Sequence, residues 1–234
     1  MSRRPLALLL TCEHGGARVP AALRDVLHEE DPRLSTHRGY DEGALAVAQA
    51  LARSLRAPLV AATTTRLLVD LNRSAHNPRR FSEITRGLSV ARREALMAAI
   101  FLPHRARVEA ALAELGRGRT RVLHVAVHSF TPVLGRVPRD FDVGLLYDPS
   151  RPAERRLADA WARALLPLVH GVRRNAPYRG VTDGLTAGLR KLHPDASYAG
   201  IELELNQRRL VDGRFGPELV AGLGRTLGTL LGQE

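Results

Sequence analysis

Short apolar segments alternate with longer amphipathic segments along almost the whole chain of 234 residues. Leu6–Thr11, Arg121–Phe130 and Ala199–Gln207 have the length and composition of buried strands. Between the first two, Tyr40–Leu55 repeats apolar side chains at helical spacing. Such alternation is typical of an α/β domain with a mostly parallel or mixed sheet. We find no repeat or linker in the sequence and therefore predict a single domain over residues 1–234.

The same two patterns predict the remaining elements. Further strands are expected at Leu59–Ala62, Leu67–Leu71, Asp142–Asp148 and Gly171–Pro177. Further helices are expected at Pro20–Glu30, Leu88–Leu115 (with a break or kink at Pro103), Ala153–Val169, Asp183–Leu192 and Gly216–Leu231. In open α/β sheets, sites form beyond the carboxyl ends of the strands. Polar residues at those ends are therefore the candidates for function.

Cysteine content and apolar run lengths bear on the compartment. Cys12 is the only cysteine, which excludes an internal disulfide framework and favours a reducing compartment. No apolar run approaches the roughly 20 residues of a membrane helix. The apolar stretch Pro5–Leu10 is shorter than the roughly 7–15 residues at the centre of a secretory signal. We therefore expect a cytoplasmic protein with no membrane partner.

The net charge of +11 suggests nucleic acid as a possible partner. However, Lys191 is the only lysine, and the arginines are scattered in runs of at most two. Aromatic residues make up 4% of the chain, too few to provide stacking platforms for bases. We expect an arginine-rich, solvated surface rather than a nucleic-acid site.

A carboxylate and an imidazole follow the first predicted strand, at Glu13 and His14. Two glycines come next, and glycine permits a sharp turn or a close backbone approach. Zinc favours histidine and carboxylate ligands, and a catalytic zinc site keeps one position for water. A capping pair at a strand-to-helix turn would give the same local sequence, so this stretch alone leaves both interpretations open.

Two histidines lie on one face of the strand Arg121–Phe130. Because side chains alternate along a strand, His124 and His128 point the same way, with His128 at the strand exit and His124 deeper. A lone strand histidine is usually a hydrogen-bonded core residue. A second histidine at another strand exit, His14, favours a metal site.

Polar residues also follow the predicted strand Leu67–Leu71. Asp70, Asn72 and Arg73 leave this strand and enter a polar loop. An arginine can hold a carboxylate through two hydrogen bonds, and an asparagine can fix an amide or carboxylate oxygen. The alternative is an ion pair between Asp70 and Arg73 that only closes the loop.

On the last predicted strand, Glu202 and Glu204 share one face. They could serve as a general base and its partner, or form the solvated face of an edge strand. Cys12 has no local signature of a cysteine hydrolase and is predicted to be a small buried side chain. Ser129 lacks the G-x-S-x-G elbow of a serine hydrolase.

Taken in order, seven segments of the sequence resemble the N-formylglutamate amidohydrolase family. They are TCEHGGARVP, YDEGALAVA, RLLVDLNRS, HVAVHSFTPVL, DVGLLYDPSRPAE, RRNAPYRGVTDGLT and GIELELNQ. The resemblance runs from about Leu8 to Arg208 and has the CEHGG form of the first motif. It implies a single three-layer α/β domain with a mixed, mostly parallel sheet, of the zinc-carboxypeptidase-like (phosphorylase/hydrolase-like) type. It also implies zinc-dependent removal of an N-formyl or N-acyl group from an amino acid.

The resemblance implies one zinc ion bound by His14, His128 and an acidic residue. The order of these residues is also similar to that in aspartoacylase and the zinc carboxypeptidases, whose first zinc motif is His-x-x-Glu. Here Ala17 stands at the glutamate position. Asp41 is the expected replacement, and Glu13 and Glu42 are the alternatives.

The same resemblance implies roles around the metal. Glu204 is expected to activate water, with Glu202 as the alternative. Asn72 and Arg73 are expected to bind the substrate, and Arg73 also to stabilise the reacting carbonyl oxygen. Further substrate contacts are expected from Arg66, Arg136, Arg139 and Ser129. The expected partner is a small anionic substrate.

Two other functions compete with this interpretation. One is a zinc amidase or peptidase that uses the same site on a peptide or a cell-wall fragment. The other is a basic, non-catalytic nucleic-acid-binding protein, whose binding would depend steeply on salt.

Overall fold

A six-stranded sheet forms the centre of the protein in a computed structural model that describes residues 6–118 and 120–233. The strands are β1 (Leu6–Cys12), β2 (Leu59–Ala61), β3 (Arg121–Phe130), β4 (Val133–Leu134), β5 (Val137–Pro138), β6 (Val143–Leu146), β7 (Val172–Arg174), β8 (Tyr198–Asn206), β9 (Leu210–Val211) and β10 (Arg214–Phe215). The sheet order is β2-β1-β3-β8-β6-β7, while β4–β5 and β9–β10 form separate two-stranded ribbons. Neighbouring strands of the sheet are parallel, except that β6 runs antiparallel to β8.

Helices cover both faces of this sheet. They are α1 (Ala44–Leu55), α2 (Val90–Leu96), α3 (Leu102–Leu115), α4 (Pro152–Leu165), α5 (Leu185–Leu192) and α6 (Pro217–Gln233), with a π-helical turn at Met97–Phe101 and 3-10 turns at Ala21–Leu23, Pro32–Ser35, Pro78–Arg80 and Gln207–Arg209. Helices α1, α4 and α6 pack on one face, and α3 and α5 pack on the other. The predicted three-layer α/β domain with a mixed, mostly parallel sheet is confirmed. Among the described residues, no helix combines the length and apolarity needed to cross a bilayer.

Alternation along the strands divides the core into two layers. Leu8, Leu10 and Val125 face α1, α4 and α6, whereas Leu9 and Val122 face α3 and α5. Because helices cover both faces of the sheet, the sequences of the central strands are nearly continuous runs of apolar residues. The face toward α3 and α5 becomes polar near the carboxyl ends of the strands, and the candidate site lies there.

The helix predicted over Pro20–Glu30 is wrong. Only Ala21–Leu23 is helical, as one 3-10 turn, and Pro20 provides no side-chain cap. Leu23 and Leu27 pack into a small cluster, so the apolar spacing reflects burial of a loop rather than a helix face.

The strand predicted over Leu67–Leu71 is also wrong. Leu67 and Leu68 pack into one small cluster, whereas Val69 and Leu71 pack into another. The backbone carbonyls of Leu67 and Leu68 accept hydrogen bonds from side-chain hydroxyls rather than from a neighbouring strand. The segment is an irregular buried loop, and Asp70 and Asn72 reach the site from that loop.

Pro103 does not break the long helical segment. The chain continues through the π-helical turn, in which the Leu102 N–H donates to the Met97 carbonyl. Proline has no N–H to donate and disturbs the preceding turn, and a π-turn can absorb this disturbance.

Helix α1 begins at Ala44, four residues later than the apolar pattern suggests. Gly43 precedes it with φ of 78°, and a Cβ atom there would lie 2.7 Å from Leu210 Cδ2. Because glycine tolerates this conformation, the chain can turn before the helix. Asp41 therefore lies outside the helix and is available to the site.

A buried ion pair between Glu154 of α4 and Arg190 of α5 helps to hold this fold together. The Glu154 carboxylate accepts hydrogen bonds from the Asp148 and Gly200 N–H groups and pairs with Arg190 at 2.9 Å. Arg190→Leu would remove the nearer of the two arginines that pair with this carboxylate and leave only Arg151 Nε at 3.4 Å. We therefore expect the free energy of unfolding to fall by about 3 kcal/mol in urea denaturation.

The control is Arg174→Leu, which breaks a largely exposed ion pair with Asp159. This change should cost about 1 kcal/mol or less. Equal losses for the two variants would contradict a stabilising role for the buried pair.

Candidate active site

The site lies where β1, β3 and β8 end together. In the pairing of β3 with β8, His128 lies opposite Glu204 and Ala126 lies opposite Glu202. His14 follows the end of β1 by two residues. The parallel pairing therefore brings residues that are far apart in sequence to one edge of the sheet, as expected for an open α/β sheet.

Two imidazoles converge on one carboxylate oxygen in the interior of the site. Nδ1 of His128 lies 2.8 Å from Asp41 Oδ2, and Nδ1 of His14 lies 3.3 Å from the same oxygen. All three side chains are buried, and one nitrogen or oxygen atom from each lies within 4.8 Å of the others. Two nitrogens and one oxygen form a donor set suited to a divalent metal ion such as zinc.

The outer nitrogen of each imidazole contacts another carboxylate. Nε2 of His14 lies 2.7 Å from Asp70 Oδ1, and Nε2 of His128 lies 3.0 Å from Glu13 Oε2. Carboxylates in this position orient a histidine and direct its other nitrogen toward a metal. Glu13, one alternative third ligand, therefore contacts the outer nitrogen of His128 instead of joining the cluster with Asp41.

Glu42, the other alternative ligand, lies elsewhere. Its Oε1 approaches the backbone of Gly213, at the turn between β9 and β10. It is not among the described residues that line the site cavity. Of the acidic residues considered from sequence, Asp41 is the one that joins His14 and His128.

The two glycines after His14 allow its loop to lie against the loop after β2. The Gly15 N–H donates to the Ala62 carbonyl at 3.0 Å. A Cβ atom at Gly15 would lie 2.8 Å from the Ala62 oxygen, and one at Gly16 would lie 2.8 Å from the Thr63 oxygen. Any larger residue would push the two loops apart and move His14. The close approach predicted from the sequence is confirmed.

Three buried carboxylates dominate the electrostatics of the cluster. Although burial acts in the opposite direction, His104 and His128 hold the pKa of Glu13 well below its usual range. Despite their burial, the pKa of Asp41 and that of Asp70 are likewise lowered, chiefly by His14 for Asp41 and by Arg66 for Asp70.

Arg66 balances only one of these three negative charges. Its guanidinium donates to Asp70 Oδ2 at 2.7 Å and lies 3.6 Å from Asp41 Oδ1. Against burial, the surrounding carboxylates raise the pKa of both His14 and His128. With both imidazoles neutral, as metal ligation requires, the three carboxylates outweigh the nearby arginine charge, and a divalent cation would offset this excess. The residues present fit such an ion.

Glu204 differs from the three carboxylates above because its pKa is raised and not lowered. Its Oε2 is buried and has no hydrogen-bond partner within the described part of the chain. Burial raises the pKa of Glu204 to about 8, and the negative charges of Asp41 and Glu202 add to this rise against the effect of His128. A carboxyl group with such a pKa can take up and release a proton near neutral pH.

Glu202 is held by a hydrogen bond. Its Oε1 accepts a hydrogen bond from the Thr186 hydroxyl at 2.6 Å. Both glutamates are buried on β8, which lies between β3 and β6. The interpretation of Glu202 and Glu204 as the solvated face of an edge strand is therefore wrong.

A cavity of about 420 Å³ opens over the cluster. Four arginines line it together with His14, Asp41, His128, Glu202 and Glu204: they are Arg66, Arg73, Arg79 and Arg179. Asn72 and Ser129 also line it, as expected from the sequence. A small cavity with this many guanidinium groups suits an anionic ligand.

Asn72 and Arg73 are anchored at the wall of this cavity. Asn72 Oδ1 accepts a hydrogen bond from the Leu185 N–H at 2.7 Å, and its Nδ2 lies 3.4 Å from His128 Nε2. Arg73 donates to the Asp183 carbonyl at 3.0 Å and lies 3.8 Å from Asp70. The predicted contact between Asp70 and Arg73 is thus present, although Arg66 is the closer partner of Asp70.

Other predicted contacts serve the structure or lie outside the cavity. The Ser129 hydroxyl donates to the Glu42 carbonyl at 2.7 Å. Arg136 is exposed in the turn between β4 and β5, and Arg139 packs over the ring of Tyr178. Neither arginine belongs to the described residues that line the cavity.

His124 and Cys12 are structural, and for Cys12 this confirms the prediction from the sequence. His124 is hydrogen-bonded to Thr11 Oγ1 and to the Tyr198 hydroxyl, each at 2.8 Å. Burial lowers the pKa of His124 to about 4, so this imidazole is neutral at pH 7. Cys12 is fully buried in the core, and burial raises the pKa of its thiol well above the usual range.

Sequence reasoning missed the role of Asp70 and the cavity arginines Arg79 and Arg179. Asp70 resembled one half of a loop-closing ion pair, and its contact with His14 spans 56 positions in the chain. No local pattern indicates that contact. Arg79 and Arg179 are two of many arginines, and only the fold distinguishes them.

Comparison with protein-family models matches residues 6–211 to the N-formylglutamate amidohydrolase family. This match defines a hydrolase that acts on amide bonds, built on an α/β domain. Because the match spans most of the chain, the protein belongs to the N-formylglutamate amidohydrolase family. This membership supports an amidohydrolase of N-acyl amino acids. A comparison with curated protein sequences gives no match.

Solved structures share the fold of this chain. Gene product Atu2144 from Agrobacterium tumefaciens is 30% identical, with a TM-score of 0.79 over 97% of this chain and 89% of that chain. The N-formylglutamate amidohydrolase from Ralstonia eutropha JMP134 is 22% identical, with a TM-score of 0.65 over 98% of this chain and 92% of that chain. The second likeness supports the shared fold.

The raised pKa of Glu204 predicts a pH-dependent difference in stability. In metal-free protein, folding holds a proton on Glu204 up to a pH of about 8, whereas the unfolded chain loses it near 4.5. The resulting contribution to the free energy of unfolding is complete below pH 4.5. It is lost as the pH rises through 8. Glu204→Gln cannot ionise. Its stability relative to the native sequence should therefore increase between pH 5 and pH 9, measured as urea midpoints in chelator.

The matched control is Glu114→Gln, at an exposed position of α3. Its stability difference from the native sequence should stay nearly constant over the same pH interval. A Glu204→Gln difference that is equally flat would contradict a raised pKa for Glu204.

Proposed function

We propose that the protein is a zinc-dependent amidohydrolase that removes an N-formyl or N-acyl group from a small anionic amino acid. The observation that carries this proposal is the buried Glu204 carboxyl group beside the His14–Asp41–His128 cluster, at the base of a cavity lined by arginines. Family membership supports the same class of reaction. The free, buried Cys12 suits a cytoplasmic protein.

His14 and His128 would hold the ion through Nδ1, and Asp41 would hold it through a carboxylate oxygen. Asp70 is hydrogen-bonded to the outer nitrogen of His14, and Glu13 pairs with that of His128 at 3.0 Å, so both carboxylates help to orient the rings. When bound, zinc supplies a Lewis acid for the acyl carbonyl and lowers the pKa of water.

Glu204 would act as the proton carrier. Its carboxylate accepts a proton from the attacking water and passes it to the amine that leaves as the amide bond breaks. In the metal-free protein, burial raises the pKa of Glu204 to about 8. A cation bound beside it would lower that pKa toward neutrality, where both transfers are accessible. Glu202 would support this role through its charge, while the Thr186 hydroxyl holds its carboxylate in place.

The arginines would bind and orient the substrate. Arg66 is already paired with Asp70 and Asp41, so its charge mainly balances the cluster. Arg73 can hold the substrate carboxylate or the developing negative charge on the carbonyl oxygen. The Asn72 amide nitrogen lies near His128, where it can contact the acyl group. The products would be formate or another acid and a free amino acid.

The first prediction from this proposal concerns metal content. Purified protein should contain about one zinc per chain, and His14→Ala or His128→Ala should lose it, as measured by elemental analysis. The control is His76→Ala, at an exposed position, which should keep the metal. Metal-free protein that hydrolyses N-formyl amino acids would contradict the proposal.

The second prediction separates the two glutamates. Glu204→Gln should retain zinc and lose turnover by at least about 100-fold, because it cannot carry a proton. Glu202→Gln keeps a hydrogen-bonding side chain next to Thr186 and should lose less. Assays should use a panel of N-formyl and N-acyl amino acids, with acylated peptides and cell-wall fragments as competing substrates. Full activity of Glu204→Gln with an inactive Glu202→Gln would reverse the assignment.

A further inference from the structure

Arg105 of α3 reaches the loop that carries two of the proposed substrate-binding residues. Its Nη2 donates to the Leu71 carbonyl at 3.1 Å and to the Arg73 carbonyl at 2.5 Å. These carbonyls belong to the residues on either side of Asn72. The guanidinium also lies over the ring of Phe101, with its central carbon 4.9 Å from the ring centroid. A single side chain from a helix therefore holds both flanks of the Asn72 position.

The loop depends on side chains because it is not part of the sheet. Buried backbone polar groups need partners, and this loop finds few of them in regular secondary structure. The Asn72 N–H donates to Asp70 Oδ1 at 2.9 Å, and the Ser74 N–H donates to Asp183 Oδ2 at 3.0 Å. Arg105 provides the donors for the carbonyls. The Nη2 group of Arg105 lies between the Leu71 and Arg73 carbonyl oxygens and donates to both.

The opposite side of the same turn is held by the segment before α5. Asn72 Oδ1 accepts from the Leu185 N–H, and the Arg73 guanidinium donates to the Asp183 carbonyl. The turn is thus clamped between α3 and the start of α5. Loss of the α3 contact would free the backbone on both sides of Asn72. Asp70, which contacts His14, would still be held by Arg66 at 2.7 Å.

We propose that Arg105 is a positioning residue, which fixes the Asn72–Arg73 turn in the conformation that binds substrate. Its kinetic consequence rests on the amidohydrolase function proposed above, whereas the ordering of the turn does not. Because Arg105 is not among the described residues that line the cavity, its removal should weaken substrate binding more than it slows the chemical step.

The test compares Arg105→Met and Arg105→Lys with the control Arg107→Met, which changes an exposed arginine on the same helix. Amide hydrogen exchange over residues 70–77 of the full-length protein reports the order of the turn. We expect faster exchange there in Arg105→Met, with the strands of the sheet unchanged. We expect an intermediate effect in Arg105→Lys, whose compact ammonium group lacks the planar fork of arginine. Arg107→Met should behave like the native sequence.

The kinetic arm uses the zinc-loaded protein. Arg105→Met should raise KM by at least about tenfold, with a much smaller change in kcat and with zinc content retained. If Arg105 acts through Arg73, combining Arg105→Met with Arg73→Ala should add little to the effect of Arg73→Ala alone. A purely structural role would give independent, additive effects and no selective change in KM.

The possible results are distinguishable. Unchanged exchange over residues 70–77 in Arg105→Met overturns the proposal whether or not the protein is an amidohydrolase. Faster exchange with an unchanged KM in an active enzyme also overturns it. If the native protein hydrolyses none of the acylated amino acids, the proposed function fails. In that case, faster exchange confined to residues 70–77 would still support the positioning role of Arg105.

Discussion

The convergence of His14 and His128 on one oxygen of Asp41 is the interaction on which the site depends. It places three buried side chains from separate parts of the chain within 4.8 Å of one another. Their outer contacts with Glu13 and Asp70 add two more buried carboxylates, and Arg66 offsets only part of the negative charge. Such a concentration of charge is costly in a protein interior unless a cation is bound there.

The fold supplies this arrangement through parallel pairing and close loop contacts. Strands β1 and β3 lie side by side, so the residues at their carboxyl ends meet at one edge of the sheet. Glycines at two points let the backbone come close enough to finish the site. Gly15 allows the loop after β1 to contact the loop after β2. Gly43 ends the turn that brings Asp41 into contact with His14 and His128. Small changes at these glycines would act on the site through the backbone.

Much of the fold and part of the site could be predicted from the sequence, because strand length and alternation are local signals. They correctly placed β3 and β8 along the chain, whereas the pairing that sets His128 beside Glu204 follows from the sheet order. The apolar run Leu67–Leu71 was wrongly predicted to be a strand, because its side chains fill two small clusters instead of a sheet face. The contact between Asp70 and His14 has no local signature. Burial, which sets the pKa of Glu204, depends on the assembled layers and cannot be obtained from strand alternation.

In the proposed function, His14, Asp41 and His128 together bind the metal ion. Anomalous diffraction at the zinc absorption edge from crystals of the zinc-loaded protein tests it most directly. We expect one strong peak about 2.0–2.2 Å from Nδ1 of His14, Nδ1 of His128 and a carboxylate oxygen of Asp41. Glu13 should remain on the outer nitrogen of His128. A peak coordinated by Glu13 in place of Asp41, or no peak at this cluster, would contradict the account.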